Sequence, residues 1–120
     1  MIEKMLDLPD HVLGFTAKGR VTAKDYESTI IPAVEAMFSR QSKVRFLYHL
    51  GEEFSGIEAA AAWDDAQLGL RHLSGWEKVA VISDVDWIRW AVKIFGMAMP
   101  GHVRVFHNRD LAEAKRWVSE

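Results

Sequence analysis

Asp84 and Asp86 are the residues whose type and spacing come nearest to those of a catalytic site. They follow a short apolar run, residues 79–82, which is typical of a buried strand. At the end of such a strand one carboxylate can attack phosphorus and a second can act as acid and base, with Mg²⁺ between them and the substrate. The alternative is structural, because Ser83 or Asp84 can cap the next helix while Asp86 interacts favourably with its dipole.

The segment around Asp84 resembles the opening motif of haloacid-dehalogenase-type phosphotransferases. In that family a small residue and Thr continue the pattern, whereas Trp87 follows Asp86 here. No later acidic pair stands in a matching strand context. We therefore favour the structural interpretation and expect no catalytic residues.

The remaining polar residues show no arrangement typical of a metal or cofactor site. Asp64 and Asp65 are adjacent, and adjacent residues on a helix diverge by about a quarter turn, so they do not easily share a substrate. We interpret them as a solvated acidic face near Arg71 and His72. The five histidines lack metal-ligand spacing, and the absence of cysteine excludes a thiolate site or a disulfide. We expect neither a metal nor a cofactor.

Residues 51–56 contain two glycines and are predicted to form a loop after a strand, where open α/β sheets usually bind ligands. The loop lacks the Gly-Lys-Ser/Thr of a phosphate-binding loop, and Glu52 and Glu53 would repel phosphate. We predict that Ser55 caps the following helix. A regulatory role for Ser55 as a phosphate acceptor is the alternative.

Composition narrows the class of protein. A chain of 120 residues is predicted to form a single domain, residues 1–120. The net charge of -2, from 15 basic and 17 acidic residues, gives no basic footprint for nucleic acid. We expect no secretory signal in the acid-containing first ten residues, and no apolar stretch approaches the ~20 residues that span a membrane. We expect a cytoplasmic protein, with peripheral membrane association as one option.

The hydrophobic pattern predicts an α/β fold. Strands are predicted from β-branched and aromatic residues at 2–6, 12–18, 44–50, 78–83 and 102–106, and the first two are close enough for a hairpin. Strand-helix repeats follow, which imply parallel pairing and right-handed crossovers. The expected architecture is a five-stranded mixed, mostly parallel sheet with four helices packed mainly on one face. Half of the sheet, including Arg45 and His49, would then face water.

Four helices are predicted between and after these strands. The first starts at Thr22, with Asp25 three residues on, and is expected to kink at Pro32. The second covers residues 56–73, the third 85–97, and the fourth follows Asn108. The predicted buried stripes are Ala59, Ala62, Trp63, Ala66, Leu70 and Leu73 on the second helix, and Leu111, Ala114 and Trp117 on the fourth.

The third predicted helix is more apolar than one sheet contact requires. A central stripe of Trp87, Ala91, Ile94 and Ala98 would be enough to cover the sheet, because a stripe little wider than ~100° suffices. Trp90 and Met97 widen the stripe on one side, and Ile88, Val92, Phe95 and Met99 widen it on the other. The excess has three explanations: packing on neighbouring helices, a site for an apolar ligand or lipid surface with Arg89 and Lys93 near the head groups, or a homodimer contact.

The whole pattern resembles the SpoIIAA-like family of small bacterial proteins. The resemblance lies in the segments VRFLYHL (44–50), AWDD (62–65), LGLRHL (68–73), VAVISD (79–84), WIR (87–89) and VRVF (103–106). It implies the fold of STAS domains of anti-sigma-factor antagonists and sulfate transporters, and of lipid-carrying CRAL-TRIO domains. Anti-sigma-factor antagonists carry a phosphorylatable serine after their central strand, and only Ser55-Gly56 matches that stretch here.

The preferred hypothesis is a non-catalytic binding domain that takes an apolar ligand, or touches a membrane, between the second and third helices. The residues assigned to this site are Trp63, Trp87, Trp90, Ile94, Phe95 and Met97, flanked by Arg89 and Lys93. The third helix would hinge at residues 83–84 and at Gly96 or residues 100–101. The runner-up is a STAS-like regulatory module that binds a protein partner around Ser55. A metal-dependent phosphotransferase using Asp84 and Asp86 is the third hypothesis.

Overall fold

Alternating apolar residues build a five-stranded sheet in the computed structural model, which describes residues 1–120. The strands are β1 (Ile2–Lys4), β2 (Val12–Val21), β3 (Val44–Ile57), β4 (Trp76–Ser83) and β5 (His102–Phe106). Their order in the sheet is the order in the chain, with β1 antiparallel to β2 and every other pair parallel. The predicted mixed, mostly parallel sheet is confirmed.

The first helix, α1, begins with Ala23–Asp25, continues as a π-helical segment Tyr26–Ile30, and returns to α geometry at Ile31–Arg40. A capping box starts it as predicted: the Thr22 hydroxyl accepts from the Asp25 backbone N–H at 3.1 Å, and the Asp25 carboxylate accepts from the Thr22 N–H at 2.9 Å. The π-helical segment ends at Ile30, two residues before Pro32, which has no N–H to donate to Ser28. The predicted irregularity therefore takes the form of a widened turn.

Three further helices complete the fold: α2 (Ala59–Arg71), α3 (Asp86–Met97) and α4 (Leu111–Ser119), the last preceded by a 3₁₀ turn at Asn108–Asp110. Helices α1, α2 and α3 share a core with one face of the sheet, where Phe15, Phe46 and Val81 are buried. None of the helices has the length and apolar character needed to cross a membrane.

The opposite face of the sheet is covered by α4, which corrects the expectation that it faces water. Ala114 and Val118 of α4 are buried against Leu47, Ala80 and Ile82. This helix lies on the second face because β3 and β4 carry apolar residues on both sides, and the 3₁₀ turn after β5 leads the chain across the sheet edge.

Cations on this second face hold the end of α4. Arg45 donates to the Val118 carbonyl at 3.1 Å and also pairs with Glu77 at 2.6 Å. Lys78 donates to the Trp117 carbonyl at 2.9 Å. The last carbonyls of a helix have no partner within the helix and carry partial negative charge, so these two cations stabilise its C-terminus.

Residues 51–56 do not form the predicted loop. They continue β3 beyond the end of β4, and they pair with β2 through Gly19↔Phe54, Arg20↔Gly56 and Val21↔Ile57. The irregular register around Gly19, whose φ is +64°, allows β2 to follow this extension. Because α2 begins only at Ala59, its N-cap is Glu58, and the prediction that Ser55 caps it is wrong.

Gly101 packs so closely on Trp76 that any side chain would overlap the Trp76 carbonyl oxygen. We expect Gly101→Ala to lower the free energy of unfolding by about 2 to 3 kcal/mol through this overlap. Gly19→Ala is the control, since a Cβ there meets nothing within 4 Å and only the left-handed backbone is strained, which costs about 1 kcal/mol. Urea unfolding of both variants measures the difference. Equal losses would contradict the packing argument.

Candidate functional site

A cleft of about 340 Å³ lies between α2 and α3, over the sheet face that α1 also covers. Helix α2 contributes small residues to one wall, helix α3 contributes aromatic and aliphatic residues to the other, and β3 and β4 form the floor. The principal lining residues are Ala62, Asp65, Ala66, Leu68 and Gly69 of α2; Trp87, Ile88, Ala91, Val92 and Phe95 of α3; and Phe46, Tyr48, Leu50, Val79 and Val81 of the strands.

The cleft exists because the two helices touch at one end, where a glycine of α2 admits an aromatic ring of α3, and leave space elsewhere. The Phe95 ring packs against Gly69, where an added Cβ would lie 3.0 Å from the Phe95 Cζ atom. The Trp76 indole N–H donates to the Gly69 carbonyl at 3.1 Å, which fixes this end of α2 to β4. Further along α2, Ala62 and Ala66 are too short to fill the space opposite Ala91.

Helix α3 is fixed to the strands rather than to α2. The Arg89 guanidinium donates to the Ser83 carbonyl at 2.9 Å, and the Ser83 hydroxyl accepts from the Val85 N–H at 3.0 Å. Near its other end, Gly96 packs on Val103 of β5. Arg89 is therefore half-buried and bound to the protein, whereas Lys93 is exposed as expected.

The residues assigned to the site from the sequence divide into two groups. Trp87 and Phe95 line the cleft. Trp90, Ile94 and Met97 lie on the outer surface of α3, where Trp90 is 69% and Met97 86% exposed, and Trp63 lies exposed on α2. Some of the surplus apolar residues of α3 thus line the cleft and others are exposed. Packing on neighbouring helices does not account for all of them. We call Trp90, Ile94 and Met97 the outer patch.

The predicted buried stripe of α2 is wrong at Trp63 and Leu70, whereas Ala62 and Ala66 of that stripe line the cleft. Ala61 and Leu68 are the buried residues of this helix, and Trp63 and Leu70 point outward. The side of α2 that faces the cleft therefore includes Asp65, whose carboxylate reaches Tyr26 of α1.

Asp65, predicted to be solvated, is exposed to solvent and also forms the polar centre of the cleft. Its Oδ1 atom accepts a hydrogen bond from the Tyr26 hydroxyl at 2.8 Å, and the Tyr48 hydroxyl is 3.1 Å from that of Tyr26. Burial raises the pKa of the Asp65 carboxyl, although the hydrogen bond from Tyr26 opposes this. Burial also raises the pKa of both tyrosines. The signal in the sequence was the chain's two tyrosines, each within an apolar segment, since a buried hydroxyl needs a partner.

The other candidate residues serve structure or lie apart from the cleft. Asp84 accepts hydrogen bonds from the backbone and side chain of Asn108 and from His107, each at 3.1 Å, and these bonds lower its pKa. It therefore fixes the 3₁₀ turn and does not cap α3, whose N-cap is Val85. Asp86 and Ser55 are exposed. No group of three or more histidine and acidic side chains is placed to hold a metal ion.

Comparison with known proteins identifies the family to which this chain belongs. The fold is an α/β sheet with helices on both faces, and the family model described as SpoIIAA-like matches residues 12–119. The chain belongs to the SpoIIAA-like family. It is similar to the crystal structure of a DUF3478-family protein with a SpoIIAA-like fold from Shewanella loihica PV-4, at 29% identity and a TM-score of 0.76, covering 98% of this chain and 92% of that one. No curated protein matches.

These comparisons confirm the resemblance and the fold. A SpoIIAA-like fold supports a non-catalytic regulatory module as the broad class of this protein. Fold alone does not assign a ligand, so the particular function has to be argued from the cleft and the outer patch.

The pKa of Asp65 predicts a pH-dependent effect of Asp65→Asn. A carboxyl whose pKa is raised in the folded state stabilises the fold below its unfolded pKa, near 3.8, and this stabilisation is lost as pH rises through the folded-state pKa. We therefore expect the variant to gain stability relative to the wild type between pH 4 and pH 7. Urea unfolding at both values measures this.

Asp84→Asn is the control with the opposite sign. The pKa of Asp84 is lowered, so its ionised form stabilises the fold above the unfolded pKa, and the stabilisation is lost as pH falls. This variant should lose more stability, relative to the wild type, at pH 7 than at pH 3. The same pH trend in both variants would contradict the assignment.

Proposed function

We propose that this protein is a non-catalytic binding protein that takes an apolar ligand in the cleft between α2 and α3. The observation that carries the proposal is the cleft itself: its volume falls within the ~300–1,000 Å³ of small-molecule sites, and 20 of its 22 lining residues are hydrophobic. Such a lining favours an apolar molecule over a polar substrate, because most polar groups of a substrate would lose their hydrogen bonds to water without replacement.

The cleft is accessible without movement of α3. Trp87 lines it and is also 59% exposed, so one side of the cleft opens to solvent beside this indole. A ligand that enters there would contact Trp87 and cover apolar surface that is exposed to solvent in the free protein. The removal of that surface from water supplies the driving force, at about 25 cal/mol per Å².

The outer patch supports docking on a lipid surface as an accompanying function. Trp90, Ile94 and Met97 are exposed on the same helix as Lys93. An amphipathic helix with large apolar residues beside a cation is typical of segments that lie in the interface of a bilayer. Docking through α3 would bring the cleft close to the lipids, where apolar molecules concentrate.

Filling the cleft should abolish ligand binding. We expect Ala66→Phe to weaken binding of the neutral apolar probe N-phenyl-1-naphthylamine at least about tenfold, because the added ring occupies the space that the probe needs. Enhancement of the probe's fluorescence measures the affinity. Ala112→Phe adds the same ring to the exposed surface of α4 and should leave the affinity unchanged. Absence of binding to the wild type would refute the proposed function.

Lipid docking predicts that the outer patch determines vesicle binding. Trp90→Ala should reduce partitioning into vesicles containing anionic phosphatidylglycerol about tenfold, since a large side chain that is buried in the bilayer interface is lost. Co-sedimentation measures the bound fraction. Leu6→Ala is the matched control, because Leu6 is 89% exposed and lies in the loop between β1 and β2. An equal loss in both variants would exclude α3 as the docking helix.

A further inference from the structure

Asp65 is the only charged residue that lines the cleft. It forms no ion pair with any lysine, arginine or histidine of the chain, and its only side-chain hydrogen bond in the protein is the one that Oδ1 accepts from Tyr26. Its second oxygen, Oδ2, has no protein partner, and the residue is exposed to solvent within the open cleft. A carboxylate in this position offers a ligand a free acceptor and an unpaired negative charge beside an apolar cavity.

The two tyrosines do not supply a donor to the cleft. Tyr26 has one hydroxyl hydrogen, which it gives to Asp65 Oδ1, so the Tyr48 hydroxyl, 3.1 Å away, donates its own hydrogen to Tyr26. The Trp76 indole N–H is also used, on the Gly69 carbonyl. The polar groups that remain free in the cleft are therefore acceptors: Oδ2 of Asp65 and the Tyr48 hydroxyl oxygen.

We propose that the ligand is amphipathic, with an apolar body that fills the cleft and a hydrogen-bond donor at one end, an ammonium or a hydroxyl group, that binds Oδ2 of Asp65. This inference rests on the proposed function and adds the chemical class of the ligand. A cationic amine satisfies both the free acceptor and the unbalanced charge, and an alcohol satisfies the acceptor alone. A fatty acid anion would place a second negative charge beside Asp65, which disfavours it.

The volume sets the size of the apolar body. An engineered cavity of ~150 Å³ takes benzene, so a cleft of about 340 Å³ accommodates roughly ten to twelve carbon atoms. Ligands with ten-carbon chains that differ only in the head group therefore isolate the contribution of Asp65.

The test is a series of decylamine, decanol and decanoate, each below its micellar concentration, titrated into the wild-type chain at pH 7 by displacement of N-phenyl-1-naphthylamine. Decylamine should bind at least about tenfold more tightly than decanoate, with decanol between them, because a charge-assisted hydrogen bond replaces a repulsion. Equal affinity for all three, or tightest binding of decanoate, overturns the inference and leaves the cleft as an apolar site. Failure of all three ligands and of the probe to bind refutes the proposed function, and the inference with it.

Asp65→Asn tests the residue itself. The variant keeps an oxygen acceptor for Tyr26 but replaces the charged Oδ2 by an NH2 donor, so the preference for decylamine over decanoate should fall to less than about threefold. The affinity for decanol should be nearly kept, because its hydroxyl oxygen can accept from that NH2. Asp10→Asn, which removes a charge from an exposed loop, should keep the wild-type preference. An unchanged preference in Asp65→Asn overturns the assignment to Asp65. The head-group series on the wild type tests the ligand class independently of how this variant folds.

Discussion

The hydrogen bond from Tyr26 to Asp65 joins three parts of the fold that are distant in the chain. Tyr26 belongs to α1, Asp65 to α2, and Tyr48, on the central strand β3, completes the cluster. A buried hydroxyl without a partner is costly, so the two tyrosines require an acceptor, and Asp65 is that acceptor. Its position turns α2 so that Ala62, Ala66 and Gly69 face α3. The cleft follows from this orientation, because these residues cannot fill the space between the helices.

Helix α3 combines two roles that usually belong to different helices. Its inner residues, Trp87 and Phe95 among them, form a wall of the cleft, while Trp90 and Met97 remain exposed. The helix is fixed at Ser83 and Val103, both on the strands, and not by extensive packing on α2. A helix supported in this way leaves an opening on one side and an apolar surface on the other. Ligand binding and docking on a lipid surface are therefore compatible uses of one element.

Much of the architecture was predictable from local patterns. The strands, the Thr22 capping box and the excess of apolar residues on α3 all depend on neighbours within a few positions, and the structure confirms each of them. The position of the cleft between the second and third helices also agrees with the hypothesis from the sequence. Residues 51–56 show where local reasoning fails. Their glycines are typical of a loop, but pairing with β2, more than thirty residues earlier, makes them part of a strand.

The sequence by itself determined most of the strands and helices, residues 51–56 excepted, and which helix carries surplus apolar surface, because side chains repeat with a fixed period along one element. Only the tertiary structure decided which way α2 faces, which side of the sheet α4 covers, and that Asp65 lies inside the cleft. Each of these depends on partners far along the chain: Tyr26 for Asp65, and Arg45 and Lys78 for the end of α4. An amphipathic pattern shows that a helix has an apolar face, but the rotation and placement of that face are set by long-range contacts that no local window contains.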